Sequence, residues 1–137
     1  MTRVTKVTGC CHFYSYKDAI MNNKQFSKEL EKRTREFAVR IIKLSLSLPK
    51  SPEALVIRNQ LTKAGTSVGA NYREANRARS RADFMNKISI CEGECSETQY
   101  WIEVIVDVGW LSLEKIKRDL NECSELLAIF ATIGKKK

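Results

Sequence analysis

Apolar side chains recur at alternating intervals of three and four residues over most of the chain, the spacing that places them on one face of an α-helix. Four segments of this kind are separated by short polar breaks: residues 25–48, 52–76, 84–109 and 113–134. A serine that can cap free backbone amide groups precedes each of the last three segments: Ser51, Ser80 and Ser112. The pattern predicts an all-α protein, an antiparallel up-down-up-down four-helix bundle with short connections.

The same spacing predicts which side chains form the core. The third segment is the most regular, with intervals of 4, 3, 4, 3, 4, 3 and 4 residues from Phe84 to Gly109. Predicted core positions, in chain order, are Leu30, Thr34, Phe37, Ile41, Leu44 and Leu48; Leu55, Leu61, Ala64, Val68, Tyr72 and Ala75; Phe84, Ile88, Cys91, Cys95, Thr98, Ile102 and Ile105; Leu113, Ile116, Leu120, Cys123, Leu127 and Phe130.

Two further apolar stripes lie outside these core lines. They consist of Val39, Ile42 and Leu46 on the first helix, and of Trp101, Val104 and Val108 on the third, in line with Glu97. Apolar surface beyond what four helices bury marks an interface, here between copies of the chain, where Glu97 would meet an arginine of the neighbour. Gly65 and Gly69, one helical turn apart, indicate close approach of another backbone, and we include both in the predicted oligomer interface. The alternative interpretation is that both glycines lie on an exposed helix face, where they are tolerated without any close contact.

Charge is distributed unevenly along the chain, whose formal net charge is +8. Residues 21–50 carry +5 and residues 72–90 carry +3, whereas residues 91–110 carry −5. This distribution suits an anionic partner such as nucleic acid, or self-assembly between faces of opposite sign, and a simply solvated surface is the alternative. The side chains predicted to contact nucleic-acid phosphates are Arg73, Arg77, Arg79, Arg81, Lys28, Lys32, Arg35 and Lys43.

Four polar side chains are predicted to order the turn between the second and third helices rather than to bind a ligand. They are Asn71, Glu74, Ser80 and Asp83. Ser80 and Asp83 have the S-x-x-D spacing of a capping box. Guanidinium groups near a helix end are good partners for phosphate and read no base sequence, so the arginines beside this turn are expected to bind RNA or DNA without sequence preference.

The pattern contains no recognisable catalytic or metal-binding constellation. The single histidine, His12, lies ahead of the first helix, so no Ser/His/Asp or Cys/His set can be assembled on packed helices. Cys91, Cys95 and Cys123 fall on core lines, where thiols act as small apolar side chains; three thiols approaching a metal ion are the alternative. We therefore expect a protein that is not an enzyme and that holds no metal and no cofactor.

The periodic segments divide the chain into three parts. Residues 1–24 are expected to be a disordered arm, residues 25–134 the bundle, and residues 135–137 a basic tail. Met21 is a candidate translation start, which leaves open whether residues 1–20 belong to the native product. Five cysteines, an odd number in a chain that shows no signal peptide or membrane span, indicate a cytoplasmic protein.

Four runs of residues resemble a known family. They are FAVRIIKL at 37–44, LTKAGTSVGANYREA at 61–75, SRADF at 80–84 and ETQYWIE at 97–103. In order and spacing they are similar to the four-helix bundle proteins encoded in 23S ribosomal RNA intervening sequences. The resemblance covers residues 25–133 and implies a bundle that assembles into a homopentameric ring, without catalytic residues. Such proteins are similar also to the accessory variability proteins of diversity-generating retroelements, which are basic and associate with nucleic acid and a reverse transcriptase.

Two hypotheses about function follow from the residues and the resemblance together. The first is a non-enzymatic oligomeric protein that associates with nucleic acid, RNA above all, through basic surface and without sequence preference. The second is a ring-shaped assembly or adaptor module that binds a protein partner, in which the charges serve solubility. A metal or cofactor that appears on purification would instead indicate an enzyme.

Overall fold

Four α-helices account for most of the residues that the computed structural model describes, which are residues 16–135, with side chains from residue 23 onward. The helices are α1 (Tyr16–Leu46), α2 (Pro52–Ala75), α3 (Arg81–Val108) and α4 (Leu113–Gly134). The described residues contain no β-strand. The fold is therefore the predicted all-α four-helix bundle.

The first helix begins at Tyr16, nine residues before its predicted start at Gln25. It therefore extends into the segment predicted as an arm, and the prediction of a disordered arm for residues 1–15 lies outside the described residues. Residues up to Leu30 and residues from Glu31 onward form separate compact units. The contacts that define the antiparallel arrangement join residues of the second unit.

Contacts between neighbouring helices show that the bundle is antiparallel. Cβ positions built at Gly65 and Gly69 of α2 meet Ile41 and Thr34 of α1, so α2 runs against α1. Lys87 of α3 bonds Glu74 of α2, while the Cys91 thiol lies against the Val68 carbonyl, so α3 reverses α2 in turn.

The fourth helix closes the bundle against both α3 and α1. The Cys123 thiol lies 3.2 Å from the Cys95 carbonyl oxygen on α3. Across the diagonal, the rings of Tyr72 and Phe130 pack edge to face with centroids 5.6 Å apart. Because α2 and α4 are parallel, the turn between α2 and α3 lies at the same end of the bundle as the end of α4.

Serine caps begin the last three helices at the predicted positions. The side-chain oxygens of Ser51, Ser80 and Ser112 accept hydrogen bonds from backbone amides three residues further on. Gly109 ends α3 in the left-handed conformation at φ 90°, which glycine adopts at no steric cost. These signals hold the connections short, so each helix packs against the next.

Most predicted core positions are buried, and five are not: Leu55, Phe84, Leu113, Leu120 and Leu127. On α2, Ala54 is buried while Leu55 is 50% exposed, because Ala54 lies seven residues, nearly two full turns, before Leu61. On α4, Leu126 is fully buried in place of Leu127, and Leu113 is 51% exposed. The buried face of α4 is rotated toward α1, so the residues that continue the predicted line lie at the edge of the core.

The two glycines of α2 serve packing within one chain. A Cβ at Gly65 would lie 2.6 Å from Cγ2 of Ile41, and one at Gly69 would lie 3.2 Å from the Thr34 backbone. Close approach of another helix was predicted correctly, but that helix is α1 of the same chain. The placement of Gly65 in an oligomer interface is therefore corrected, since the residue is buried against Ile41, and the contact with α1 also accounts for Gly69.

Candidate nucleic-acid interface

A short turn between α2 and α3 gathers arginines at one end of the bundle. Helix α2 ends at Ala75 and α3 begins at Arg81, and the five intervening residues are held by backbone bonds such as Ala78 N–H to the Ala75 carbonyl. All four arginines predicted to bind phosphate here are exposed: Arg73, Arg77, Arg79 and Arg81. We call these four residues the arginine end.

Three arginines of this end, Arg73, Arg77 and Arg79, make few side-chain contacts with the rest of the described chain. Nε of Arg73 lies 3.8 Å from Oε1 of Glu31 on α1, a long ion pair between partly exposed side chains. Arg77 and Arg79 make no side-chain hydrogen bond or ion pair with any other residue of the described part of the chain. An exposed guanidinium group without a carboxylate partner keeps its donors available for an external anion.

Two other arginines, Arg33 and Arg40, form ion pairs with acidic residues of another helix and so stabilise the bundle. Arg33 of α1 donates from Nε and Nη2 to both carboxylate oxygens of Glu122 on α4, at 2.6 and 2.8 Å, and also bonds Glu125. Arg40 donates from Nε to Oδ1 of Asp119 at 2.7 Å. The bonds to Glu122 and Glu125 raise the pKa of Arg33. Together with the bond from Arg40 to Asp119, they tie α1 to α4. We call this set of ion pairs the α1–α4 seam.

The sequence contained a signal for this seam that the prediction missed. Arg33 and Arg40 are seven residues apart and each directly precedes a core residue of α1. Asp119 and Glu122 flank the core line of α4 in the same way. Charges of opposite sign beside two core lines indicate that the two helices are adjacent. Only the observed contact shows which arginines are paired with a carboxylate.

Of the four side chains predicted to order the turn, those of Ser80 and Glu74 make bonds beside it. Ser80 caps α3 by accepting from the Asp83 amide at 3.0 Å, and Glu74 accepts from Lys87 Nζ at 2.7 Å, which links α2 to α3. This bond raises the pKa of Lys87. Asn71 instead donates to the Ser67 carbonyl of its own helix at 2.9 Å. A further bond, from Asn76 to Glu31, joins the end of α2 to α1.

The remaining basic candidates lie on α1 and are all exposed: Lys28, Lys32, Arg35 and Lys43. Arg35 follows Thr34, which packs against Gly69, so it lies near the arginine end. Lys43 is in the last turn of α1, toward the opposite end of the bundle. Lys32 follows Glu31, which pairs with Arg73, so Lys32 lies at the level of Arg73 and Arg35 about one turn away, whereas Lys43 is separated from them.

The apolar stripes proposed for an oligomer interface are only partly exposed. Val39, Ile42 and Leu46 of α1 are 46%, 41% and 64% exposed, as expected of an unpartnered stripe. On α3, Val108 is 54% exposed, whereas Trp101 and Val104 are half-buried. Trp101 Nε1 donates to Glu97 at 3.1 Å, so this carboxylate already has a partner within the chain.

The three described cysteines are free and buried. Burial raises the pKa of the Cys91 and Cys123 thiols from 9.0 to about 12, and raises that of Cys95 as well. A thiol held protonated in this way is a poor metal ligand and a poor nucleophile. Among the described residues, no group of three or more His, Cys, Asp or Glu side chains is arranged to hold a metal ion.

Fold and surface together define a class of small helical bundles with a buried apolar core and a group of exposed arginines at one end. Within that class the family is clear, since the model of the 23S rRNA-intervening sequence proteins matches residues 27–132. The chain belongs to this family. No helix among the described residues has an apolar stretch long enough to cross a membrane.

A solved structure supports the same assignment. It is a crystal structure of a protein with unknown function from the S23 ribosomal protein family of Bacteroides thetaiotaomicron, and it is 37% identical to this chain with a TM-score of 0.72. The similarity covers 77% of this chain and 98% of that one. No curated protein matches the chain.

Proposed function

We propose that this chain is a non-enzymatic cytoplasmic protein that binds RNA through the phosphate backbone, without reading its sequence. The observation that carries the proposal is the pair Arg77 and Arg79, both exposed and without a carboxylate partner in the described chain, at an end where Arg73 and Arg81 are also exposed. Arg33 and Arg40 show that this chain pairs arginines with acids where they serve the fold.

Phosphate is the ligand that this chemistry favours. A guanidinium group presents donors in a planar fork that matches two phosphate oxygens, and it stays charged at any physiological pH. Each phosphate that a basic side chain neutralises releases condensed counterions, so affinity comes from charge and falls steeply with salt. The family description, which refers to 23S rRNA, favours RNA over DNA.

The experiment compares two double variants of equal charge in a fluorescence anisotropy titration with labelled RNA. Replacing Arg77 and Arg79 with Gln removes two charges at the arginine end. Replacing Lys50 and Lys115 with Gln removes two charges from exposed positions at the opposite end of the bundle. The second variant is therefore the matched control for net charge.

We expect the arginine variant to lose about tenfold in affinity per side chain near 0.1 M salt, and its salt slope to fall by about 2. The lysine control should stay close to the original protein. Equal losses in both variants would show that net charge alone attracts RNA. Binding by the original protein no stronger than that of a neutral control protein would refute the proposed function.

A second candidate function is assembly, supported by the exposed Val39, Ile42 and Leu46 on α1. We propose that copies of the chain associate through this stripe and the one on α3 into a homo-oligomer, for which the resemblance favours a pentamer. The basic first helix and the acidic third helix would then attract each other. Light scattering tests this directly, because a monomeric mass at micromolar concentration would contradict it.

An adaptor that binds another protein is the rival to RNA binding. A protein partner that co-purifies in stoichiometric amount and survives nuclease treatment would favour the adaptor. RNA that co-purifies and is lost when Arg77 and Arg79 are replaced would favour the first proposal.

A further inference from the structure

We infer that Arg58 of one copy of the chain binds Asp107 of a neighbouring copy, and that this ion pair determines which surfaces of the copies meet. The inference rests on the assembly proposed above and adds the two residues that recognise each other. Three features of the structure support it: a buried arginine nitrogen without an acceptor, exposed apolar side chains around it, and an unpaired carboxylate beside the stripe on α3.

The side chain of Arg58 lacks a partner for a buried donor. Arg58 is half-buried on α2, and its Nε atom is shielded from solvent yet donates to no acceptor in the described chain. The side chain also forms no ion pair with a described residue. Arg40 differs, because its buried Nη2 lies 2.6 Å from Oδ1 of Asp119. A donor that has lost water without gaining an acceptor is unfavourable, so Arg58 needs an acceptor from outside the chain.

Arg58 lies at the junction where α1 ends and α2 begins. Leu55, Arg58 and Thr62 are spaced by three and four residues, so they share one face of α2. The Thr62 hydroxyl donates to Oγ of Ser45 on α1 at 3.1 Å, so this face borders α1. The junction is therefore at the end of the bundle opposite the arginine end, and it belongs to a different surface from the proposed RNA site.

Exposed apolar side chains lie beside Arg58 at this junction. Leu46, which follows Ser45 and belongs to the α1 stripe, is 64% exposed. Leu55 is 50% exposed, although its periodicity predicts a core position. A partner that covers these two leucines would remove water from around the guanidinium group, and an ion pair is stronger in such a setting than in open solvent.

The stripe on α3 has an unpaired carboxylate next to it. Asp107 directly precedes Val108, is exposed, and makes no hydrogen bond or ion pair within the described chain. Val108 itself is 54% exposed. Glu97, at the other end of the stripe, already accepts a hydrogen bond from Trp101. Asp107 is therefore the carboxylate of this stripe that is available to a neighbouring copy.

The two charged groups also lie at compatible heights along the bundle. The Cys91 thiol on α3 lies against the Val68 carbonyl on α2. Arg58 precedes Val68 by 10 residues and Asp107 follows Cys91 by 16, so their backbones differ in height by about 9 Å. Side chains lean toward the N-terminus of their own helix, so on antiparallel helices Arg58 and Asp107 lean toward each other. Copies packed side by side, without a shift along the axis, would close the remaining distance.

A second copy of the chain is the partner that the charges favour. Each copy carries both halves of the contact on different helices, so head-to-tail packing uses every Arg58 and every Asp107 once a ring closes. Residues 21–50 carry +5 and residues 91–110 carry −5, so the surfaces around the ion pair also attract each other.

The test measures the mass of the full-length protein by analytical ultracentrifugation over a range of concentrations. Asp107→Arg changes an exposed side chain and should leave the fold intact, which thermal unfolding followed by circular dichroism checks. We expect Asp107→Arg and Arg58→Glu each to raise the dissociation constant at least about thirtyfold, because each places like charges opposite each other. The variant that carries both substitutions restores opposite charges and should recover most of the affinity.

A second double variant is the matched control for net charge. Arg58→Glu combined with Asp83→Arg has the same net charge, but its new cation lies at the other end of α3, beside the arginine end. It should associate as weakly as Arg58→Glu alone. Recovery as complete as that given by Asp107→Arg would show that net charge, and not the pair, controls association.

Failure of this inference and failure of the proposed assembly give different results. An original protein that stays monomeric at every concentration would overturn both. An original protein that forms oligomers with the same dissociation constant as Asp107→Arg would overturn the ion pair and leave the assembly in place. The same conclusion would follow if the folded double variant with exchanged charges associated no better than Arg58→Glu.

Discussion

Replacing Gly65 with Ala tests the close contact on which the bundle geometry depends. The added Cβ would lie 2.6 Å from Cγ2 of Ile41 and 2.9 Å from both its Cβ and its Cγ1. Because Cβ itself is among the atoms in conflict, rotation of the Ile41 side chain cannot relieve the clash. Helix α1 would have to move away from α2.

The expected magnitude combines two opposing effects. Overpacking a well-packed core costs about 1–3 kcal/mol, and replacing a mid-helix glycine with alanine returns about 1 kcal/mol. We therefore expect the free energy of unfolding of the Gly65→Ala variant to fall by up to about 2 kcal/mol. For a domain of this size the melting temperature should fall by about 3–5 °C per kcal/mol.

Gly93→Ala is the matched control on α3. A Cβ built there would meet no atom of the described chain within 4 Å, and the residue is exposed. This substitution should raise the free energy of unfolding by about 0.5–1 kcal/mol through helix propensity alone. Urea unfolding followed by circular dichroism measures both variants. A Gly65→Ala variant as stable as the Gly93→Ala variant would refute the predicted clash.

Three further predictions concern buried thiols and the charged contacts. Burial raises the pKa of Cys123 from 9.0 to about 12, so the contribution of this thiol to the free energy of unfolding is complete below pH 9 and is lost between pH 9 and 12, by about 1.4 kcal/mol per pH unit. Urea titrations should show that the free energy of unfolding falls less between pH 8 and pH 10 in a Cys123→Ala variant than in the original protein. An equal fall in both proteins would contradict this prediction. Arg33→Ala should cost about 1 kcal/mol, with most of that loss absent when Glu122 is already Ala; additive losses in a double-mutant cycle would show that the pair is uncoupled. Glu31→Gln removes the carboxylate beside Arg73, so RNA affinity should rise by up to about tenfold, and an unchanged affinity would show that Glu31 does not compete with phosphate.

The helices and their caps were predictable because short-range rules determine them. A serine before an apolar periodic segment, as at Ser51 and Ser80, satisfies free amides whatever the rest of the fold does. The position of Leu126 in the core could not be obtained this way. An interval of either three or four residues after Cys123 is consistent with a helix, and only the rotation of α4 toward α1 selects between Leu126 and Leu127.

The position of the candidate site could be predicted from the sequence, but which of its arginines have a carboxylate partner could not. Helix periodicity puts Arg73 and Arg77 on the same outer side of the second helix, and the structure shows both exposed, with Arg77 in the turn beyond the end of α2 at Ala75. Whether an arginine has a carboxylate partner depends on contacts between residues far apart in the chain, such as Arg33 with Glu122, which are 89 residues apart. The same applies to Gly65, whose close neighbour on α1 could not be told from a second copy of the chain.

The central claim, that RNA binds at the arginine end, is tested most directly by mapping where RNA touches the protein. RNA that carries 4-thiouridine is cross-linked to the full-length protein by light, and the modified peptides are identified by mass spectrometry. The account predicts cross-links concentrated in residues 73–87, at and beside the turn between α2 and α3. Cross-links concentrated instead at the opposite end, around Lys50 and Lys115, would contradict it.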